Sequence, residues 1–253
     1  MTDGVDPTRR MGGRDPRIAP PSAFRVVEDG AEIRTDVLEN GLTVSTQPVP
    51  GARSASCGVW VRQGSAHEAP EVSGASHMLE HMVFKGTPTR GPRELALEVE
   101  SLGGSLDAFT TREYTAFQAR VLDRHVGTAL DVLADLTLRP LLKDEDLELE
   151  REVILEEIAT VEDTPDDVVF DLHAERFWPG HPYGRPILGT AESVAGMSGA
   201  TLREIHAERY TGANLIVAAV GNVDHDEFVK AVRQRFSEVG AGTRASDIAP
   251  PGE

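Results

Sequence analysis

Two hydrophobic periods divide the chain. Alternation of apolar and polar residues marks Glu32–Leu38 and Leu42–Val49 as strands. Between them Asn40-Gly41 is the dipeptide that a tight hairpin turn favours. Ser54–Arg62 reads as a third strand. Ser105–Thr110 and Tyr114–Val121 follow the Gly103-Gly104 break as two more, and Leu215–Val220 has the continuous apolar character of a buried one. A period of 3.6 predicts helices over Ser73–Phe84, Pro92–Leu102, His125–Leu138, Asp144–Val161, Asp166–Phe177, Ser198–Tyr210 and Asp224–Phe236. Pro140 stops the third of these, and Thr164-Pro165 starts the fifth. Strands in hairpins and helices in runs predict an α+β fold with a largely antiparallel sheet packed against helices. The domain boundaries expected are a flexible N-terminal tail over 1–28, a folded domain over 29–239 and a C-terminal linker over 240–253.

Composition narrows the function. The 253 residues are 40% hydrophobic, enough to bury a sizeable core. The net charge of −17 disfavours a nucleic-acid partner, whose phosphates demand clustered Lys and Arg. Much of the acidity is local: Lys143 to Asp167 holds 12 acidic and 2 basic residues. The single cysteine, Cys57, permits no disulfide within the chain and reads as a packed thiol in a strand. There is no run of 18 apolar residues, so no membrane span is expected. The first 22 residues lack the apolar centre of a secretory signal, and the expected compartment is cytoplasmic.

The first predicted helix contains Ser76-His77-Met78-Leu79-Glu80-His81-Met82. At about 100° per residue, Glu80 falls at about −60° from His77 and His81 at about +40°. Met78, Leu79, Met82 and Val83 take the other side. Three ionisable groups thus share one narrow face of an otherwise apolar helix. Two imidazoles at i, i+4 can reach one zinc ion, and a glutamate one turn away can hold a water beside it. The bland alternative is a solvated face that happens to hold two histidines. His-x-x-Glu-His is, however, the inverzincin signature, and it calls for a third ligand.

The acidic helix offers several carboxylates. With Ile154 at zero, Leu147, Ile158 and Val161 form an apolar stripe. Glu150, at about −40°, and Glu157, at about −60°, fall within or beside it, whereas Glu145, Glu148, Glu152 and Glu156 face away. A carboxylate turned to a core costs several kcal/mol unless it is paired or bound to a cation. The partner is either zinc with a histidine N–H, or a buried Arg or Lys.

Five stretches resemble the pitrilysin/insulinase family of zinc metallopeptidases, and most closely its mitochondrial-processing-peptidase-like branch. They are Gly64-Ser-Ala-His-Glu68, Gly74-Ala-Ser-His-Met-Leu-Glu-His-Met-Val-Phe-Lys-Gly-Thr87, Gly103-Gly-Ser-Leu-Asp-Ala-Phe-Thr-Thr-Arg-Glu113, Glu150-Arg-Glu-Val-Ile-Leu-Glu-Glu157 and His181-Pro-Tyr-Gly-Arg-Pro186. The resemblance implies a LuxS/mitochondrial-processing-peptidase-like metallohydrolase domain binding one Zn2+. It implies His77, His81 and Glu157 as the metal ligands, Glu80 as the catalytic base, and Glu150 as a residue that orients a histidine ligand. It also implies that Gly103–Thr110 is an edge strand taking an extended peptide substrate, with Asp107, Ala108 and Phe109 beside the peptide. Asp107 stands where the family usually has Asn.

Active members of the resembled family carry two homologous halves, and this chain matches only the N-terminal one. The second half supplies an Arg and a Tyr near the substrate carbonyl that have no counterpart here. A second homologous half or subunit is therefore an expected partner. The function expected is zinc-dependent endopeptidase chemistry through water and Glu80. The rival is a non-catalytic structural or interaction subunit of the same family, which would usually lose part of the metal motif.

Overall fold

The computed structural model describes residues 23–28 and 31–250. Among them, seven strands form one sheet: β1 Ala23–Glu28, β2 Ala31–Val37, β3 Thr43–Pro48, β4 Ser54–Val61, β5 Ser105–Thr110, β6 Thr115–Leu122 and β7 Leu215–Gly221. Their order is β1-β2-β3-β7-β4-β6-β5. Only β3 and β7 run parallel, and the other neighbours are antiparallel. The sheet is thus largely antiparallel, as the hairpin pattern predicts.

Eight α-helices accompany it in the described residues. They are α1 Ala75–Met82, α2 Pro92–Glu100, α3 Val126–Leu138, α4 Asp144–Glu162, α5 Pro165–Phe177, α6 Ala191–Gly196, α7 Gly199–Arg209 and α8 His225–Arg235. The side chains of Cys57, Val59, Val61, Phe117, Ala119, Val217 and Ala219 all lie on one sheet face and are buried under helices. α3 packs on β4 and β6, and α8 on β3. On the opposite face Ile216 is 45% exposed and Val220 43%. Strand alternation is the cause, since successive side chains leave by opposite faces.

Three boundaries depart from expectation. Ala23–Glu28, placed in the tail by the sequence pattern, pairs with β2 from Ala23↔Asp36 to Glu28↔Ala31. The Asp29-Gly30 dipeptide between the two strands is a hairpin signal of the same kind as Asn40-Gly41. The rest of the expected tail, 1–22, lies outside the described residues. At the other end, residues 240–250 form no helix or strand, yet they dock: Ala245 is buried and its N–H donates to Asn214 Oδ1 at 2.7 Å. Finally α6 arises where no helix is predicted. It is held by a capping box in which Thr190 Oγ1 accepts from Ser193 N and Ser193 Oγ from Thr190 N.

Candidate metal centre

α1 is short, and its start is built with care. Gly74, at φ +92°, precedes it, and a Cβ there would sit 2.4 Å from Leu188 O, so only glycine fits. The buried Glu68 carboxylate accepts from Gly74 N at 2.7 Å and from Ser76 N at 2.6 Å, satisfying N–H groups that the first turn cannot. Burial, opposed by these hydrogen bonds, pushes the Glu68 carboxyl up to about 6. Arg185 reaches across from the loop before α6 and donates to Glu68 O. The Gly64–Glu68 and His181–Pro186 stretches therefore serve α1 by fixing its N-terminus.

α1 packs against β5 and α4. This contact brings one nitrogen of His77, one of His81 and one oxygen of Glu157 within 4.8 Å of one another. His77 Nε2 lies 3.7 Å from Glu157 Oε2, and His81 Nε2 lies 3.8 Å from the same oxygen. Those separations exceed a hydrogen bond. Ligands at zinc bond lengths around a tetrahedral ion stand about 3.4 Å apart. Two imidazole nitrogens and a carboxylate oxygen at this spacing fit zinc, both in donor chemistry and in size. The two rings meet edge to face, with centroids 4.6 Å apart. His77 Nδ1 is buried without a hydrogen-bond partner. Desolvation, reinforced by the neighbouring His81, lowers the His77 imidazole to about 4, which favours a neutral ring with a lone pair to give.

The two glutamates of α4 differ. Glu150 is buried, its side chain 9% exposed. Its Oε2 accepts from His81 Nδ1 at 3.1 Å, and its Oε1 meets Lys85 Nζ at 2.5 Å. The two alternatives foreseen for it thus mix: the histidine N–H expected alongside zinc is present, and so is a lysine, the alternative to zinc. Glu157 corrects the expectation. Its side chain is 41% exposed, so the carboxylate opens to solvent and the cost of burial does not apply to it. Glu157 lies at the margin of the apolar stripe, about one turn before the helix ends at Glu162.

Glu80 lies on the same face of α1. Its Oε2 accepts a hydrogen bond from Thr110 Oγ1 at 2.5 Å. Desolvation raises its carboxyl above the ordinary range, and the Thr110 hydroxyl opposes that rise. Thr110 belongs to β5, the last strand of the sheet. Thr110 Oγ1 also lies 3.3 Å from Thr115 Oγ1, which donates to Gln63 O. No local pattern assigns a role to Thr110, because it is the cross-strand register that brings it to Glu80. Tyr210, at the end of α7, was missed as well. Its phenol is buried and shifted upward by desolvation, and the Glu80 carboxylate adds to the shift.

β5 pairs with β6 along one edge. The register divides its residues between the two sheet faces. Ala108 lies opposite Phe117 on the helix-covered side, together with Thr110. Asp107 and Phe109, opposite Gln118 and Ala116, lie on the other side and are exposed, with Phe109 edge to face against Tyr114. Of the three residues expected beside a substrate, only Ala108 thus shares the face of Glu80.

Three of the remaining histidines have structural hydrogen-bond partners. His225 Nδ1 meets Thr46 Oγ1 at 2.7 Å, His206 Nε2 meets Thr137 O at 2.9 Å and His181 Nε2 meets Ala249 O at 2.8 Å. Cys57 is buried, and desolvation pushes its thiol up to about 12, as suits an inert packed residue. No helix among the described residues is long and apolar enough to cross a membrane.

Known proteins are similar to this chain in sequence and in fold. The family described as Insulinase (Peptidase family M16) matches residues 43–191, more than half of the chain, and the one described as Peptidase M16 inactive domain matches 197–253. An uncharacterized zinc protease of Mycobacterium leprae is 45% identical over 214 residues, covering 85% of this chain and 48% of its own length. The uncharacterized zinc protease YmxG of Bacillus subtilis is 40% identical over 219 residues, 87% of this chain and 53% of its own. A probable mitochondrial-processing peptidase subunit beta of Arabidopsis thaliana is 42% identical over 209 residues, 82% of this chain and 39% of its own. The chain therefore spans about half the length of the curated relatives it matches. In fold it is similar to a protease from Helicobacter pylori, with a TM-score of 0.81 over 88% of this chain and 54% of that one at 23% identity. The chain belongs to peptidase family M16, the insulinase family.

Proposed function

We propose that this chain carries the zinc site and the general base of a metalloendopeptidase that cleaves extended peptides. The observation that carries the reading is the convergence of His77, His81 and Glu157 with Glu80 on the same helical face. His77, His81 and Glu157 would hold the ion. Zinc, when bound, supplies a Lewis acid that polarises a carbonyl and acidifies water. Glu80 takes the proton of the attacking water and passes it to the leaving amine. Its carboxyl, raised by desolvation, is suited to both halves of that transfer. Thr110 occupies Oε2 and leaves Oε1 free for the proton. Glu150 fixes the ring of His81 through Nδ1.

A peptide adds as a strand to the free edge of β5. Its backbone makes the pairing, and Ala108 lies on the side of the base. Asp107 and Phe109 contact the peptide's side chains on the other face. A second homologous half completes the enzyme and supplies the donors for the carbonyl oxygen. Relatives twice as long support that requirement.

Glu80→Gln tests the reading. With the second half supplied, the variant is expected to lose at least about a thousandfold in peptide hydrolysis while metal analysis still finds one zinc per chain. Undiminished hydrolysis would remove Glu80 as the base. Loss of zinc together with activity would make it a ligand instead.

A further inference from the structure

We propose that Lys85 is a positioning residue: its ammonium holds the Glu150 carboxylate so that His81 carries its hydrogen on Nδ1 and presents Nε2 to the metal. The inference rests on the zinc-site reading above and concerns a residue outside the ligand set.

The two oxygens of Glu150 have separate duties. Oε1 meets Lys85 Nζ at 2.5 Å, and Oε2 lies 3.1 Å from His81 Nδ1. An ionised glutamate only accepts hydrogen bonds, so the hydrogen in the second contact belongs to the imidazole. The lone pair is then on Nε2, the atom that faces Glu157 at 3.8 Å. A carboxylate with one partner can swing about its side-chain bonds and move off the imidazole. A second, charged partner on Oε1 prevents that, because turning would break the stronger contact.

Lys85 is itself held by backbone. It ends the 3-10 turn Val83–Lys85 that directly continues α1. Gly86 follows at φ +119°, a conformation that favours glycine, and its carbonyl accepts from Leu141 N at 2.9 Å. The next residue, Thr87, donates to the buried Asp135 carboxylate at 2.6 Å. The lysine is thereby fixed at its Cα, and only its own side chain remains to be ordered. His77 has no such device, its Nδ1 being buried without a partner. Of the two imidazoles, only His81 has a lock on its tautomer, and Lys85 is the far end of that lock.

The test compares the wild-type chain with Lys85→Met and Lys85→Arg. The first readout is the His81 tautomer in the metal-free protein. It is taken from long-range nitrogen–proton correlations of 15N-histidine-labelled chain at pH 8.5, with His81→Gln to assign the signal. Wild type and Lys85→Arg are expected to show the Nδ1–H form, and Lys85→Met a mixture of both. The second readout is zinc affinity by competition with a chromophoric chelator. Lys85→Met should bind about 10–100-fold more weakly, and Lys85→Arg within about threefold of wild type. An unchanged tautomer in Lys85→Met overturns the proposal, whatever the zinc affinity. Thermal melting of each variant establishes that it is folded, and Lys85→Ala replaces Lys85→Met if the latter is not. A wild-type chain that binds no zinc would instead overturn the metal reading, and the tautomer comparison would still decide the role of Lys85.

Discussion

Two regions of this molecule gather charge under α1 and its following turn, and they do so in opposite ways. Around Asp135 the carboxylate is fully buried and every approach to it is filled. Thr87 and Thr89 donate at 2.6 and 2.7 Å, Arg90 at 2.9 Å and Arg139 at 3.0 Å. At the His77–His81–Glu157 cluster the groups face one another across 3.7 and 3.8 Å without a hydrogen bond. One is a closed network, which a fold uses to hold its own parts. The other sets two imidazole nitrogens and a carboxylate oxygen at a spacing that fits a cation, as the proposed function requires. A satisfied network contributes rigidity, and an unsatisfied one is kept for chemistry. The first supports the second, because the Asp135 node pins the turn that carries Lys85 towards Glu150.

Substitution should separate the two. Asp135→Ala leaves Arg90 and Arg139 without their shared partner and is expected to cost about 3–5 kcal/mol in urea unfolding. A loss below about 1 kcal/mol would mean that the node behaves as a surface ion pair. The same node sets an acid dependence. Its hydroxyl and arginine partners hold the Asp135 carboxyl at about 2 against the cost of its burial, whereas an unfolded aspartate titrates near about 3.9. The unfolded chain therefore takes up the proton first. The stability contributed by Asp135 is complete above about pH 4 and drains away as the pH falls towards about 2. The urea midpoint of the wild type should drop over that window more than that of Asp135→Asn, and parallel curves would assign the acid sensitivity elsewhere. The smallest effect belongs to the open site. Glu157→Gln should change the metal-free unfolding free energy by less than about 0.5 kcal/mol, since its carboxylate is half exposed and makes no hydrogen bond to either imidazole. A large destabilisation would show that the cluster is structural after all.

How much of this could be read from the sequence depends on the range of the interaction. The face shared by His77, Glu80 and His81 follows from helical periodicity alone, and so does the inward turn of Glu150. The same pattern leaves the partner of Glu150 open between zinc with a histidine N–H and a buried Arg or Lys. Lys85 could not be chosen, because it lies beyond the last turn of α1, where the period no longer applies. Periodicity also puts Glu157 within or at the margin of the apolar stripe, yet its 41% exposure depends on the tertiary surroundings, which no local pattern records. The Thr110–Glu80 hydrogen bond and the division of Asp107 and Phe109 from Ala108 need the register of β5 on β6. β1 was missed although Asp29-Gly30 announced it, and α6 is too short at six residues to show a period.

The central claim is that α1 and α4 meet to form a cation site. Zinc titration of the chelator-stripped chain, followed by calorimetry alongside Glu157→Gln, tests it most directly. One equivalent bound by the wild type, and an affinity in the variant reduced by more than the about 10–100-fold cost of an outer-shell change, is the predicted result. A wild-type chain that takes up no zinc, or a variant that binds it equally well, would contradict it.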